Sequence, residues 1–192
     1  MAILSTEALP NLRNAILTWG AAEHIVPNRP IVGLAILQQR QSEVAVAAGL
    51  AKLAQSTGPL QILSIDFLSI KYNIFPLIAN TLPLLRELSV GMTLGDGSDF
   101  DEWLSERETS VAFHMFRALA SIRLRVSKWK KLGADRRALV EGWGAACPTL
   151  KDVKFYTFRP PVSDRPVFAI TYRRMEQDTG VSVSNEWTRL EV

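Results

Sequence analysis

Cys147, His24 and His114 are the only cysteine and histidines in the chain, and so its only candidates for a thiolate nucleophile, an imidazole base or a soft metal ligand. A Cys–His pair needs an imidazole within hydrogen-bond reach of the thiol, and neither histidine lies near Cys147 in sequence. Cys147 falls in Ala146-Cys147-Pro148, between an expected helix and an expected strand, where a thiol serves best as a small buried filler. Three scattered Cys and His residues do not make a structural zinc site. There is no G-x-S-x-G elbow, phosphate loop, dinucleotide fingerprint or H-E-x-x-H pair. The acidic run Asp96-Gly97-Ser98-Asp99-Phe100-Asp101 lacks the fifth-position oxygen ligand and the spaced terminal Glu of a calcium loop, so it reads as a solvated turn. The expectation is a protein that is not an enzyme and carries no metal or other cofactor.

The remaining chemistry is that of charge. Residues 107–174 hold 15 Lys and Arg against 5 Asp and Glu, although the whole chain carries only +3. Asp99, Asp101, Glu102 and Glu106 precede this block, and Glu176, Asp178, Glu186 and Glu191 follow it. Such a block attracts acidic protein, nucleic acid or anionic lipid through its long-range field. Lys128-Trp129-Lys130-Lys131 interleaves an aromatic with cations, as single-strand binders do, but no nucleic-acid motif accompanies it.

What positions these charges is a repeat. Leu85-x-x-Leu88-x-Val90 is the apolar skeleton of a leucine-rich-repeat strand, and it recurs. The aligned triplets are Leu12/Ala15/Leu17, Ile31/Leu34/Ile36, Leu60/Leu63/Ile65, Leu85/Leu88/Val90, Leu119/Ile122/Leu124, Leu150/Val153/Phe155 and Val167/Ile170/Tyr172. In each, period-2 alternation turns the last two apolar residues inward and their neighbours outward. One such strand cannot bury its own apolar side, so successive strands must stack. Prolines at Pro10, Pro59, Pro83 and Pro148 stand just ahead of strands, where they block helix continuation.

The segments between strands read as helices. Over 42–57, Ser42 is a candidate N-cap, and Val44, Ala47, Leu50, Ala51 and Ala54 form a 3.6-period stripe. A short helix is expected over Phe75 to Asn80. Another spans 99–117, with Phe100, Trp103, Leu104, Val111, Met115 and Phe116 as its apolar residues. A further one covers Asp135 to Ala146, with Leu139, Trp143 and Ala146 inward. Val167–Arg173 and Val181–Trp187 alternate around a turn at 176–180 and predict a capping hairpin. The predicted architecture is α/β: one domain over 1–192, a small leucine-rich-repeat-like solenoid of strand–helix units over 1–157, capped by a hairpin over 158–192. Its 47% hydrophobic content is enough for a sizeable core.

Stacked in this way, the outward positions form one concave row. Asp66, Glu87, Arg123, Arg125, Lys154, Tyr156 and Arg173 lie on it as candidate partner-binding residues, because guanidinium groups grip carboxylates and phosphates bidentately. One cysteine fits a reducing compartment, and the most apolar stretch, Ile74 to Leu85, is broken by Pro76, Asn80, Thr81 and Pro83. A cytoplasmic or nuclear protein with no membrane association is expected.

The repeated P-x-L-x-x-L-x-V strands, Val26-Pro27-Asn28-Arg29-Pro30-Ile31 and Trp143-Gly144-Ala145-Ala146-Cys147-Pro148-Thr149-Leu150 resemble the C-terminal repeat region of fungal F-box proteins with leucine-rich-repeat-like tails. The resemblance covers nearly the whole chain. It implies a module that selects protein substrates for ubiquitination; with the cations of the concave row, the expectation is a non-enzymatic module that binds an acidic or phosphorylated segment on that face. The residues before Leu9 are too few for an F-box bundle, so only the recognition half carries over. A Skp1-type adaptor is implied as a partner only where an F-box is present in the full product. The alternative is a nucleic-acid-associated protein that uses the 107–174 block.

Overall fold

Apolar residues that recur two apart, then three apart, and then two again require strands alternating with helices. The computed structural model describes residues 10–37, 43–67, 74–92, 104, 111–126, 136–157, 168–178 and 183–191. In chain order they form β1 (Asn14–Thr18), α1 (Trp19–Ile25), β2 (Gly33–Leu37), α2 (Glu43–Leu53), β3 (Ile62–Phe67), α3 (Ile74–Thr81), β4 (Glu87–Met92), β5 (Ser121–Val126), α4 (Arg137–Ala146), β6 (Asp152–Thr157), β7 (Phe168–Asp178) and β8 (Val183–Glu191). The strands make one open, mixed, eight-stranded sheet in sequential order, parallel from β1 to β6 and antiparallel from β6 to β8.

The first six apolar triplets share one register. Ala15, Leu34, Leu63, Leu88, Ile122 and Val153 stand side by side, as do Leu17, Ile36, Ile65, Val90, Leu124 and Phe155. From β2 to β6 all of these are buried. The residue ahead of each strand locks the register, since its carbonyl accepts two N–H groups from the turn before the next strand. Arg13 serves Val32 and Gly33, Gln61 serves Arg86 and Glu87, and Ala120 serves Lys151 and Asp152, at 2.7–3.1 Å. The seventh triplet departs from this pattern. Ile170 and Tyr172 do face inward, but β7 is antiparallel to β6, so they pair with Phe155 and Val153 in reverse order.

Right-handed crossovers between parallel neighbours place successive helices on one side of a sheet. Here α1 packs on α2 and α2 on α3, over the buried face. Aromatic rings fill the later core: Trp143 stacks on Phe113 at 4.6 Å between centroids and lies 6.3 Å from Phe155. Tyr172 meets Phe155 edge-on, and its hydroxyl accepts the Arg136 N–H at 3.0 Å. That bond serves the start of α4, where the side chain of the N-cap residue, Arg136, makes no capping hydrogen bond. Arg136 itself is buried, with its guanidinium 5.6 Å from the Phe155 ring centre.

Three helical expectations change. In α2, Val44 and Ala51 are exposed, as is Ala54 just past its end; the buried face is Val46, Gly49, Leu50 and Leu53. The cause is Trp19, whose indole lies where a side chain at position 49 would begin, so the helix turns its glycine toward the ring. α1, which carries Trp19, escaped the periodicity because Trp19-Gly20-Ala21-Ala22 is short and poor in large apolar residues. Between β4 and β5, Leu104 and Phe116 are buried as expected, but Val111 is exposed and Ala112 and Phe113 are buried in its place. The hairpin is longer than expected, with 176–178 still in strand β7. Ser42, Phe100 and Trp103 lie outside the described residues.

In the proline-rich segment after α1, Asn28 takes a left-handed φ of 62° and Arg29 is buried. The Arg29 guanidinium donates to the Ile25 carbonyl. Its own carbonyl accepts from Thr57 N and Ser56 Oγ, tying this turn to the one before β3.

Candidate partner-binding face

Alternation along a strand leaves every second side chain pointing away from the core. The helices cover one face, and no described residue covers the other from β1 to β6. Three register rows lie on it. The first runs Asn14, Gly33, Ile62, Glu87, Ser121 and Asp152; the second Ile16, Ala35, Ser64, Ser89, Arg123 and Lys154. In the third, Asp66, Gly91, Arg125 and Tyr156 are neighbours. Arg173 joins the first row beside Asp152, and Thr171 the second beside Lys154. Thr171, expected to be outward, stands on this face but is buried.

The structure therefore brings Asp66, Glu87, Arg123, Arg125, Lys154, Tyr156 and Arg173 onto one surface. It also pairs most of them. Arg123 Nη2 lies 3.3 Å from Glu87 Oε2, and Arg173 Nε donates to Asp152 Oδ1 at 2.9 Å. Arg125 pairs with Asp66 two strands away. That reach is possible because Gly91 stands between them on β4: a Cβ there would collide with the Asp66 carboxylate and crowd Arg125. All three pairs are partly exposed, so each is worth at most about 1 kcal/mol. Lys154 makes no ion pair among the described residues. Among the described side chains the face thus carries four cations (Arg123, Arg125, Lys154 and Arg173) against three carboxylates (Asp66, Glu87 and Asp152), far closer to neutral than the 107–174 segment as a whole.

Sequence reasoning turned Ile62 outward but missed Ile16 and Leu37, and with them the apolar half of the face. Ile16 is 71% exposed, Leu37 53% and Ile62 42%, so β1 to β3 present apolar side chains where β5 and β6 present charge. Small residues, Ser64, Ser89, Gly91 and Ser121, separate the two halves. The signal was available: the alternation that turns Arg123 outward turns Ile16 and Leu37 outward too.

The other candidates stay apart. Cys147 is fully buried, with Phe116 O, Leu119 O and Thr149 Oγ1 at 3.9, 3.7 and 3.3 Å, while His24 and His114 are exposed. Among the described residues no group of three or more His, Cys, Asp or Glu is placed to hold a metal, and no helix is long and apolar enough to cross a membrane. The acidic run Asp96 to Asp101 and Lys128-Trp129-Lys130-Lys131 lie outside the described residues. Comparison with protein-family models, curated proteins and solved structures gives no match.

Proposed function

We propose that the chain is a non-enzymatic recognition module, a short leucine-rich-repeat-like solenoid that binds an acidic or phosphorylated protein segment on its uncovered strand face. One observation carries the reading: Arg123, Arg125, Lys154 and Tyr156 stand together on adjacent strands of a face that nothing among the described residues covers. Lys154 is available to an incoming anion, and the flanking guanidiniums keep further N–H donors while each holds a carboxylate through one nitrogen. By the resemblance of its strands, the module's setting is substrate selection for ubiquitination, with a Skp1-type adaptor as the link to the ligase only where an F-box is present in the full product.

The test is affinity purification from lysate with wild type beside an Arg123→Glu/Arg125→Glu/Lys154→Glu variant first shown to fold. The expected result is a defined protein lost only in the variant, whose acidic segment binds as an isolated peptide. The same partner list from both proteins would remove this face from consideration. Co-purification of a Skp1-type adaptor tests the ligase setting separately.

A second reading, association with nucleic acid, is favoured by a row at the opposite end of the strands. Arg86 and Lys151 precede β4 and β6, and Arg174 lies within β7 beside Lys151, with exposed Arg117 ahead of β5. Part of this row serves the fold: Arg174 Nη1 donates to the Pro148 carbonyl at 2.7 Å, just past the end of α4. Binding that falls steeply with salt and ignores partner sequence would favour this reading.

A further inference from the structure

Resting on the recognition reading, we infer that the segment bound is phosphorylated, crosses the strands rather than running along them, and sets an apolar side chain against β1 to β3. The phosphate follows from exchange. Arg123, Arg125 and Arg173 already hold the carboxylates of Glu87, Asp66 and Asp152. A peptide Asp or Glu would swap one carboxylate for another at these guanidiniums and gain little. A phosphate brings a charge of about −1.5 to −2 and three acceptor oxygens, so it can draw Arg123 and Arg125 together with Lys154.

The direction follows from how the face is divided. Cationic side chains gather on β5 and β6 and exposed apolar ones on β1 to β3, with small residues and the arginine-held carboxylates of Glu87 and Asp66 between, so a ligand using both halves runs across the strands. Neighbouring strands are about 4.8 Å apart and an extended chain advances about 3.3 Å per residue. From Lys154 on β6 to Ile62 on β3 is three strand spacings, and to Leu37 on β2 four. The apolar residue therefore sits roughly four to six positions from the phosphate. Residues 37 and 62 receive it without rearrangement, being already exposed.

The experiment passes pooled 15-residue peptides, with phosphoserine at a fixed central position and random flanks, over the immobilised full chain. Parallel pools carry Glu or Ser at the centre. Retention of the phosphoserine pool at least tenfold over the Glu pool, with apolar residues enriched four to six positions away, is the expected result. Equal retention of the Glu pool would overturn the phosphate inference while leaving the recognition of acidic segments standing. Retention of neither pool would overturn both. Enrichment of apolar residues at other spacings, or at none, would overturn the crossing geometry.

Three variants separate the parts. Lys154→Ala is expected to abolish the preference for phosphate, and Leu37→Asn/Ile62→Asn to erase the apolar preference while the phosphate preference remains. Glu87→Gln, which releases Arg123 from its carboxylate, is expected to tighten phosphopeptide binding several-fold; a weaker or unchanged affinity would contradict the exchange argument. Lowering the pH from 7.5 to 5.5 should weaken binding several-fold, because the second phosphate ionisation lies near 6 and the bound form is the dianion.

Discussion

Glu87 and Leu88 are adjacent in the chain and lie on opposite faces of β4. Leu88 is 1% exposed inside the core, whereas the Glu87 side chain is 41% exposed against Arg123. Leu88→Asp is therefore expected to abolish the folded state, because it buries a carboxylate with no partner. Glu87→Leu should melt cooperatively within about 1 kcal/mol of wild type, since it removes one partly exposed ion pair. A folded Leu88→Asp protein with an unfolded Glu87→Leu counterpart would invert the register. At Gly91, the absence of a Cβ is what lets Asp66 reach Arg125 across an intervening strand. Gly91→Ala should leave stability within about 1 kcal/mol, because Ala suits a strand better and the colliding atoms are flexible side-chain ends. The Asp66–Arg125 coupling, about 0.2–1 kcal/mol in wild type, should fall toward zero in a double-mutant cycle made in that background. This pair was not legible from spacing: the residues are 59 positions apart, and their meeting depends on which residue occupies the strand between them.

Elements were legible in proportion to the strength of their pattern. The strand triplets combine a strict spacing with proline punctuation, and they were placed in the correct register from β1 to β6. α2 was found but rotated, because alanines read as apolar by periodicity while packing selects by volume. Gly49 faces inward since it alone admits the Trp19 ring. Gly49→Ala is expected to destabilise by about 1–3 kcal/mol in a denaturant titration, as overpacking against a rigid indole does. Exposed Ala51, predicted inward, should tolerate Gln or Lys with changes under about 0.5 kcal/mol. At the other end of the chain, Tyr172 performs the capping that α4 lacks locally. Tyr172→Phe should cost about 1–3 kcal/mol by leaving the buried Arg136 N–H without its acceptor.

For the whole molecule, the change from parallel to antiparallel pairing at β7 matters most. A parallel stack of strand–helix units can extend indefinitely and ends in an exposed edge. The hairpin reverses direction, covers β6, and places Tyr172 against Phe155 and the start of α4. A chain ending at residue 157 is expected to lose its cooperative melt and to associate with rising concentration, as read by calorimetry and sedimentation. A sharp transition in a monomer would show that the hairpin is dispensable. The same scale decides the character of the binding face. A local excess of positive charge became a nearly balanced surface once cross-strand carboxylates were counted, and an apolar half appeared beside it.

Spacing alone specified which residues face inward on six strands, since alternation and a one-sided core leave a single register. It specified equally that Arg123, Arg125, Lys154 and Tyr156 share a surface, which follows from the same period. It did not specify the partners of those arginines, the rotation of α2, or the sense of β7. Each of these depends on groups far apart in the chain approaching within a few ångströms. Glycine at 91, an indole against Gly49 and a hydroxyl beneath α4 have no periodic signature, and they take their meaning from what packing brings beside them.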